Sequence, residues 1–429
     1  MNQLKFSRRW CRWWVPNKLN FSFRRGTSSG QKLSANWESE CEDMRARAAV
    51  IASSHGVVHP ALVINWDQTG LLMMPTATRT YSDKGSKQVE IAKLDDKRQI
   101  TAVVASAMDG SVLPVQLVFA GKEFSSKTGN PLRSSCPNDA DTLQLLEQHK
   151  WSVTQTDSHW SNVNTMKDYV KTIIDPYVQS KIKELDLPEN KNHALLIFDV
   201  FWAHRDTKFT EWLKENYPNY HYVFIPANCT SVLQPADVLL NRPFKCELTN
   251  QYTNWSTQNL MSQFSATDDI SNIRLPNDLT TLKPLIVKWS IESWLKLKQY
   301  KEMIRHGWKK LLGKILDPEF QIDCLQRIGR QQLSVEEPVA VPDDAALSAS
   351  DKMEEEEDDD NRTEEENPDE EEIDTLTALM SCVENLNVDK ENYRRTSARL
   401  ARMSATQRDA RIAQLMQDDV YNSACSLGK

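Results

Sequence analysis

The chain of 429 residues lacks any uninterrupted apolar run of the length that crosses a membrane. Its start, MNQLKFSRRWCRWWVPNK, lacks the apolar stretch that a secretory signal needs. These absences predict a soluble, intracellular protein with no membrane partner. The eight cysteines, Cys11, Cys41, Cys136, Cys229, Cys246, Cys324, Cys382 and Cys425, contain no C-x-x-C pair. Neither a zinc ribbon nor a disulfide framework is therefore legible, and the cysteines read as reduced thiols. Residues 1–35 contain no Asp or Glu, whereas residues 336–374 hold 20 acids against 2 bases.

The length leaves room for two to three domains, and 40% apolar residues can fill a sizeable core. The net charge of −8 hides an asymmetry. Of 52 Lys+Arg and 60 Asp+Glu, residues 336–429 hold 10 and 26, which leaves a body of net +8 and a tail of net −16. A basic body suits a polyanionic partner, and a tethered acidic tail can shield it or compete with nucleic acid.

Residues 1–35 interleave eight Lys/Arg, among them Arg8, Arg9, Arg12, Arg24 and Arg25, with Trp10, Trp13, Trp14, Phe21 and Phe23. Two readings stand side by side: a surface helix packed by its tryptophans, or a phosphate-tracking arm with stacking side chains. From Ala61 the pattern turns to short apolar runs. ALVINWD reads as a strand ending at Asp67, and QITAVVASA and SVLPVQLVFAG flank Met108-Asp109-Gly110 as a hairpin. Val163 to Leu185 has helical spacing with Pro176 as a kink. ALLIFD (194–199) reads as a strand covered on both faces, residues 207–216 as a helix, HYVFIP (221–226) as a further strand and residues 241–255 as a helix. Pro284 opens one long helix running through Trp289, Trp294 and Ile304 to Trp308. This order predicts an α/β fold in which an antiparallel meander is extended by parallel crossovers.

The unbroken EEEEDDD of Glu354 to Asp360 lies in a segment too charged to bury apolar area, which predicts a disordered acidic tail. Arg394, Arg395, Arg399, Arg402, Arg408 and Arg411 follow at helix-compatible spacing, either as a solvated helix or as a nucleic-acid or nuclear-import patch. Expected domain bounds are a basic aromatic arm at 1–57, an α/β domain at 58–318, an acidic linker at 319–374 and a helical basic segment at 375–429.

Asp67 and Asp199 fall at the ends of apolar strands, and Asp237 follows the next strand before a helix. In an open α/β sheet, polar groups at the carboxyl ends of strands converge on a ligand crevice. Three carboxylates gathered there are a hard-oxygen site for Mg²⁺ or Mn²⁺, and two such metals clamp the attacking and leaving oxygens of a phosphodiester displacement. Any one aspartate taken alone reads better as a strand end or a helix cap with purely local hydrogen bonds.

The strings NWDQTG, LLIFDVFWAH and TSVLQPADVLLNRPFK change that balance. They resemble the three blocks of the pogo, Tigger and jerky-like DDE superfamily endonucleases, relatives of the mariner transposases. The resemblance spans roughly residues 20–310, and three ordered blocks are more specific than one. It implies a ribonuclease-H-like mixed sheet with flanking helices, with Asp67, Asp199 and Asp237 as catalytic and metal-binding acids. Asn65, Thr69, His204 and Gln234 are the supporting residues it implies, and Gly70, Thr230, Ser231, Pro235 and Phe244 also match. Lys245 of the third block joins the arm arginines as an expected DNA contact. Gln68, Val200 and Leu239 depart from the pattern, standing where the family has Glu, Asn and Gly. Only 66 residues precede Asp67, so the family's helix-turn-helix DNA reader is expected to be missing.

The resulting expectation is a transposon-derived DDE-type nuclease or transposase domain in the nucleus, acting on DNA with two divalent metals. A homo-oligomer is left open, and no small-molecule cofactor is expected. The alternative is a domesticated, non-catalytic nuclear DNA-binding or regulatory protein.

Overall fold

The computed structural model describes residues 33–75, 98–121, 132, 140–266 and 273–330. The basic residues of the arm, the acidic segment and the arginine-rich end lie outside the described residues. Arg8, Arg9, Arg12, Arg24 and Arg25, expected to contact DNA, fall there too.

A six-stranded mixed sheet forms the centre. It comprises β1 (Val63–Leu72), β2 (Gln99–Ala107), β3 (Gln116–Ala120), β4 (Ser152–Thr156), β5 (Ala194–Phe198) and β6 (Tyr220–Phe224), in the order β4-β3-β2-β1-β5-β6. β2 runs antiparallel to both β1 and β3, whereas β5 pairs parallel to β1 and β6 parallel to β5. This is a ribonuclease-H-like sheet. β4 adds a parallel edge beside β3, a polar strand (SVTQT) that the apolar pattern does not signal.

The β2–β3 turn is built on Asp109 and Gly110. Gly110 has φ +84°, and a Cβ there would lie 2.1 Å from the Lys301 carbonyl oxygen, so only glycine lets the turn meet the C-terminal helices. Asp109 accepts bonds from the Ser111 N–H and hydroxyl and from Lys301 Nζ (3.0 Å). These partners hold its carboxyl below the ordinary range in spite of partial burial.

Helix α1 (Trp37–His55) precedes the sheet and buries Cys41, Met44, Ala46, Ala48, Ala49, Val50 and Ala52. The expected boundary at residue 57 therefore falls within a packed body, since α1 shares its core with the strands. Arg45 Nε donates to the Leu311 carbonyl (2.9 Å), which ties α1 to the C-terminal helices.

Between β3 and β5 in the chain come α2 (Ala140–His149), which precedes β4, and α3 (Val163–Tyr169) and α4 (Asp175–Glu184), which follow it and are joined by a π-helical turn at Val170–Ile174. The kink expected at Pro176 takes this form. Pro176 sits in the first turn of α4, and the wider turn before it absorbs the missing N–H. Short α5 (Trp202–Arg205) and α6 (Thr207–Asn216) link β5 to β6.

After β6 come α7 (Thr230–Leu233), a π turn at Ala236–Leu240 and the long α8 (Asn241–Ala266). The single helix expected from Pro284 to Trp308 is instead two, α9 (Leu279–Lys298) and α10 (Lys301–Leu312). α9 starts earlier, at the Asp278 cap, so Pro284 lies inside it rather than in its first turn. Two buried tryptophans moor these helices: Trp294 Nε1 donates to the Leu113 carbonyl (2.8 Å) and Trp308 Nε1 to Ser106 Oγ (2.9 Å). α11 (Pro318–Gly329) closes the described body, with Cys324 buried.

Candidate functional site

Asp67 does not end its strand, because β1 continues to Leu72. The parallel pairing of β1 with β5 nevertheless stops at Asn65 and Ile197, so both chains leave the shared ladder just before Asp67 and Asp199. Odd-numbered residues of β1 share one face of the sheet. Asn65, Asp67 and Thr69 are buried there, and Trp66 and Gln68 point to the other face.

Asn65 does the tying. Its Nδ2 donates to the Ile197 carbonyl (2.9 Å), and its Oδ1 accepts from the Ala236 N–H (2.9 Å). One buried amide thus fixes the end of β5, and so Asp199, and the turn that carries Asp237. Loss of either bond would leave a buried backbone group unpaired, at about 1–3 kcal/mol.

The acids crowd one another. Burial, followed by repulsion from Asp237 and Asp199, pushes the Asp67 carboxyl well above the ordinary range. Asp237 is also raised by burial and by Asp199, with bonds from Asp67 and Asn241 and the charge of Lys245 opposing. Asp67 and Asp237 lie side by side, so ionisation of one opposes ionisation of the other. Asn241 Nδ2 bridges them, 3.1 Å from Asp67 Oδ2 and 2.9 Å from Asp237 Oδ1.

Asp199 is held separately. His204 is fully buried, with Nδ1 2.6 Å from Asp199 Oδ1. Its Nε2 receives the indole N–H of Trp66 (3.1 Å) and faces the Gln68 amide nitrogen at the same distance. Indole only donates, so Nε2 must accept and the imidazole proton sits on Nδ1, pointing at Asp199. Gln68, one of the departures from the motif, thus supplies a donor that fits this tautomer.

The other predicted residues are placed as follows. Thr69 is buried on β1, and Lys245 lies on the second turn of α8. Gln234 is fully buried, and neither amide atom finds a hydrogen-bond partner. Val200 follows Asp199 and is half-buried. Leu239 is fully buried against Gly307 of α10, where a Cβ would come 2.5 Å from a Leu239 methyl. The added bulk at 239 is accommodated by the missing side chain at 307, so this departure fills the core.

Asn241 was not among the sequence candidates. The available signal was its place four residues after Asp237, one helical turn on.

A donor set of three carboxylates is hard and anionic, the chemistry of Mg²⁺ and Mn²⁺. The residues fit such an ion. Repulsion among buried acids is the cost a cation relieves, and the buried Asn241 Oδ1 beside them has no partner.

Residues 97–308 match the family described as DDE superfamily endonuclease, a span that includes Asp199 and Asp237 and begins after Asp67. The chain is 21% identical over 307 residues to a human protein named "Pogo transposable element with KRAB domain", covering 71% of this chain and 44% of that one. The mouse protein of the same name matches at 21% over 309 residues with the same coverage. The chain thus spans under half the length of these relatives.

Among solved structures, the Mos1 transposase paired-end complex with left transposon end matches at 10% identity and a TM-score of 0.33, covering 70% of this chain and 69% of that one. The mariner Mos1 paired end complex with Mg matches at 11% identity and 0.34, covering 70% and 67%. At such values they add no geometry to the site.

Proposed function

We propose, for a chain related to the DDE superfamily endonucleases and to pogo-type transposable-element proteins, that Asp67, Asp199 and Asp237 form a metal-dependent nuclease centre that cleaves or transfers DNA phosphodiesters. One observation carries this reading. Three acids from β1, the end of β5 and the turn before α8 lie close enough to oppose one another's ionisation, and Asn241 Nδ2 bridges Asp67 and Asp237.

Mg²⁺ or Mn²⁺ held by these acids would supply Lewis acidity and lower the pKa of the attacking water or hydroxyl. The rest is the chain's own work. Asn65 sets the distance between the elements that carry the acids. His204 fixes the rotamer of Asp199, because its Nε2 accepts from Trp66 and its Nδ1 is left to donate to Asp199. Asn241 holds Asp67 and Asp237 side by side.

The net charge of +8 over residues 1–335, which residues 1–35 supply with eight Lys/Arg and no acid, supports DNA as the polyanionic partner. Lys245, near Asp237, is the DNA contact proposed within the described residues. Nuclear residence and a homo-oligomeric assembly belong to the same proposal.

A second reading, a domesticated nuclear DNA-binding or regulatory protein without catalysis, is favoured by Val200, since valine cannot bond a water or phosphate as the family's amide can. A metal-dependent nicking assay on the purified chain, with the triple Asp→Asn variant as control, separates the two. Nicking that the control lacks supports the nuclease. Val200→Asn is expected to raise the rate by about a hundred- to a thousand-fold, the usual worth of one such contact. No cutting by either chain selects the binding protein.

A further inference from the structure

The end of the sheet opposite the acids carries a second cluster. His55 is the last residue of α1, His193 immediately precedes β5 and His221 is the second residue of β6. Each offers a ring nitrogen, and the three nitrogens lie within 4.8 Å of one another. His193 Nδ1 is 2.8 Å from His221 Nε2, and the His55 ring stacks on that of His221 with centroids 3.7 Å apart. We propose that His55, His193 and His221 form a binding site for a divalent transition metal of the zinc class.

The chemistry favours such an ion over the hard cations suited to the acids. Imidazole nitrogen binds Zn²⁺, Ni²⁺ and Cu²⁺, whereas Mg²⁺ prefers oxygen. Three histidines with a fourth, solvent-facing position form a known donor set for zinc.

In the His193–His221 bond one ring nitrogen donates and the other accepts, so the donating imidazole ligates once its proton sits on its other ring nitrogen, a tautomer change without a change of charge.

The backbone holds two ligands ready. Asn219 Nδ2 donates to the Asn192 carbonyl (3.1 Å) and the Ala194 N–H to the Asn219 carbonyl (3.0 Å), bracing the chain beside His193 against the chain beside His221. His55 lies at the negative pole of the 19-residue α1, where the helix dipole favours a cation.

Two small movements complete the site. The 2.8 Å hydrogen bond must open to roughly 3.3 Å, the separation of two nitrogens on one tetrahedral ion at zinc–nitrogen distances. His55, the exposed member, must tilt out of its stack. The bound ion would clamp α1 to the strands it packs on.

Calorimetric titration of Zn²⁺ into the full chain carrying Asp67→Asn and Asp237→Asn tests the site with the acids out of play. The expected result is one Zn²⁺ per chain, a rise in melting temperature on binding, and at least a roughly tenfold loss of affinity in His221→Gln and in His55→Gln. His55→Gln changes an exposed helix end and keeps the test open if His221→Gln fails to fold. Equal Zn²⁺ affinity with and without the histidines, or no Zn²⁺ binding at all, would overturn the proposal. Neither outcome depends on nuclease activity.

Discussion

The two ends of β5 are built from opposite chemistry. Past its last residue lies Asp199, facing two more carboxylates, and before its first lies His193, facing two more imidazoles. Six residue steps separate them, about 20 Å of extended chain. In the metal-free state both ends suppress ionisation through burial and like-group repulsion, upward for the acids and downward for the imidazoles. The difference lies in burial and support. At the acid end Asp67 is buried, Asp199 and Asp237 are half-buried, and Asn65, Asn241 and His204 cross-tie the three; at the imidazole end His55 is exposed, and stacking and one hydrogen bond hold it to the half-buried His193 and His221. The acids are carboxylate oxygens suited to hard cations, and the imidazoles are nitrogens suited to an ion that braces the fold.

The comparison breaks most readily at the acid end. Asp199→Asn is expected to lower metal-dependent nicking by about two orders of magnitude or more, as is usual for a lost electrostatic stabiliser, while the Zn²⁺-induced melting shift stays intact. If both effects vanish together, the two ends are not independent. A smaller loss is expected from Asn241→Ala, which frees Asp67 and Asp237 from their shared donor. Mn²⁺ affinity should fall by about 10- to 100-fold, with the circular-dichroism spectrum unchanged.

Stability responds in the other direction. A carboxyl raised in the folded state binds its proton more tightly there, so Asp67 contributes most at pH values below its unfolded pKa and costs stability as pH rises through its folded value. Asp67→Asn should therefore stabilise the metal-free chain at neutral pH by on the order of 1–3 kcal/mol, the usual cost of a poorly satisfied buried group. The gain should shrink under acid, as chemical denaturation at two pH values would show.

The imidazole end gives the smallest effect. With His221 held at about 4 against an ordinary 6.5, the folded state takes up a proton later than the unfolded one, so metal-free stability falls as pH drops from 6.5 to 4. His221→Gln should flatten that fall by on the order of 1 kcal/mol, the shift being discounted for partial exposure.

The acid end was legible in the sequence and the imidazole end was not. ALLIF is apolar throughout and QITAVVASA is rich in Ile, Val and Ala; they coincide with β5 and β2, and residues 207–216 form α6 as their spacing implies. The DDE-like blocks carried the acids because their neighbours are short-range: Gln234 to Asp237 and Asp199 to His204 sit within one turn or loop. His55, His193 and His221 have no such local grammar, being drawn from a helix end and two strand starts far apart in the chain. α1 escaped notice because its buried face is largely alanine, which contributes helix propensity without an apolar stripe. The division between α9 and α10 at Gln299 and Tyr300 is set by tertiary packing of Trp294 and Trp308 onto the β2–β3 region, which no helical periodicity encodes.

Calorimetry of Mn²⁺ binding to the purified chain and to its Asp67→Asn and Asp199→Asn variants tests the metal centre most directly. The account predicts saturable binding to the natural chain and its loss in both variants, since each removes a carboxylate from the shared site. Variants that bind Mn²⁺ as well as the natural chain would show that the three acids are structural and would contradict the nuclease centre.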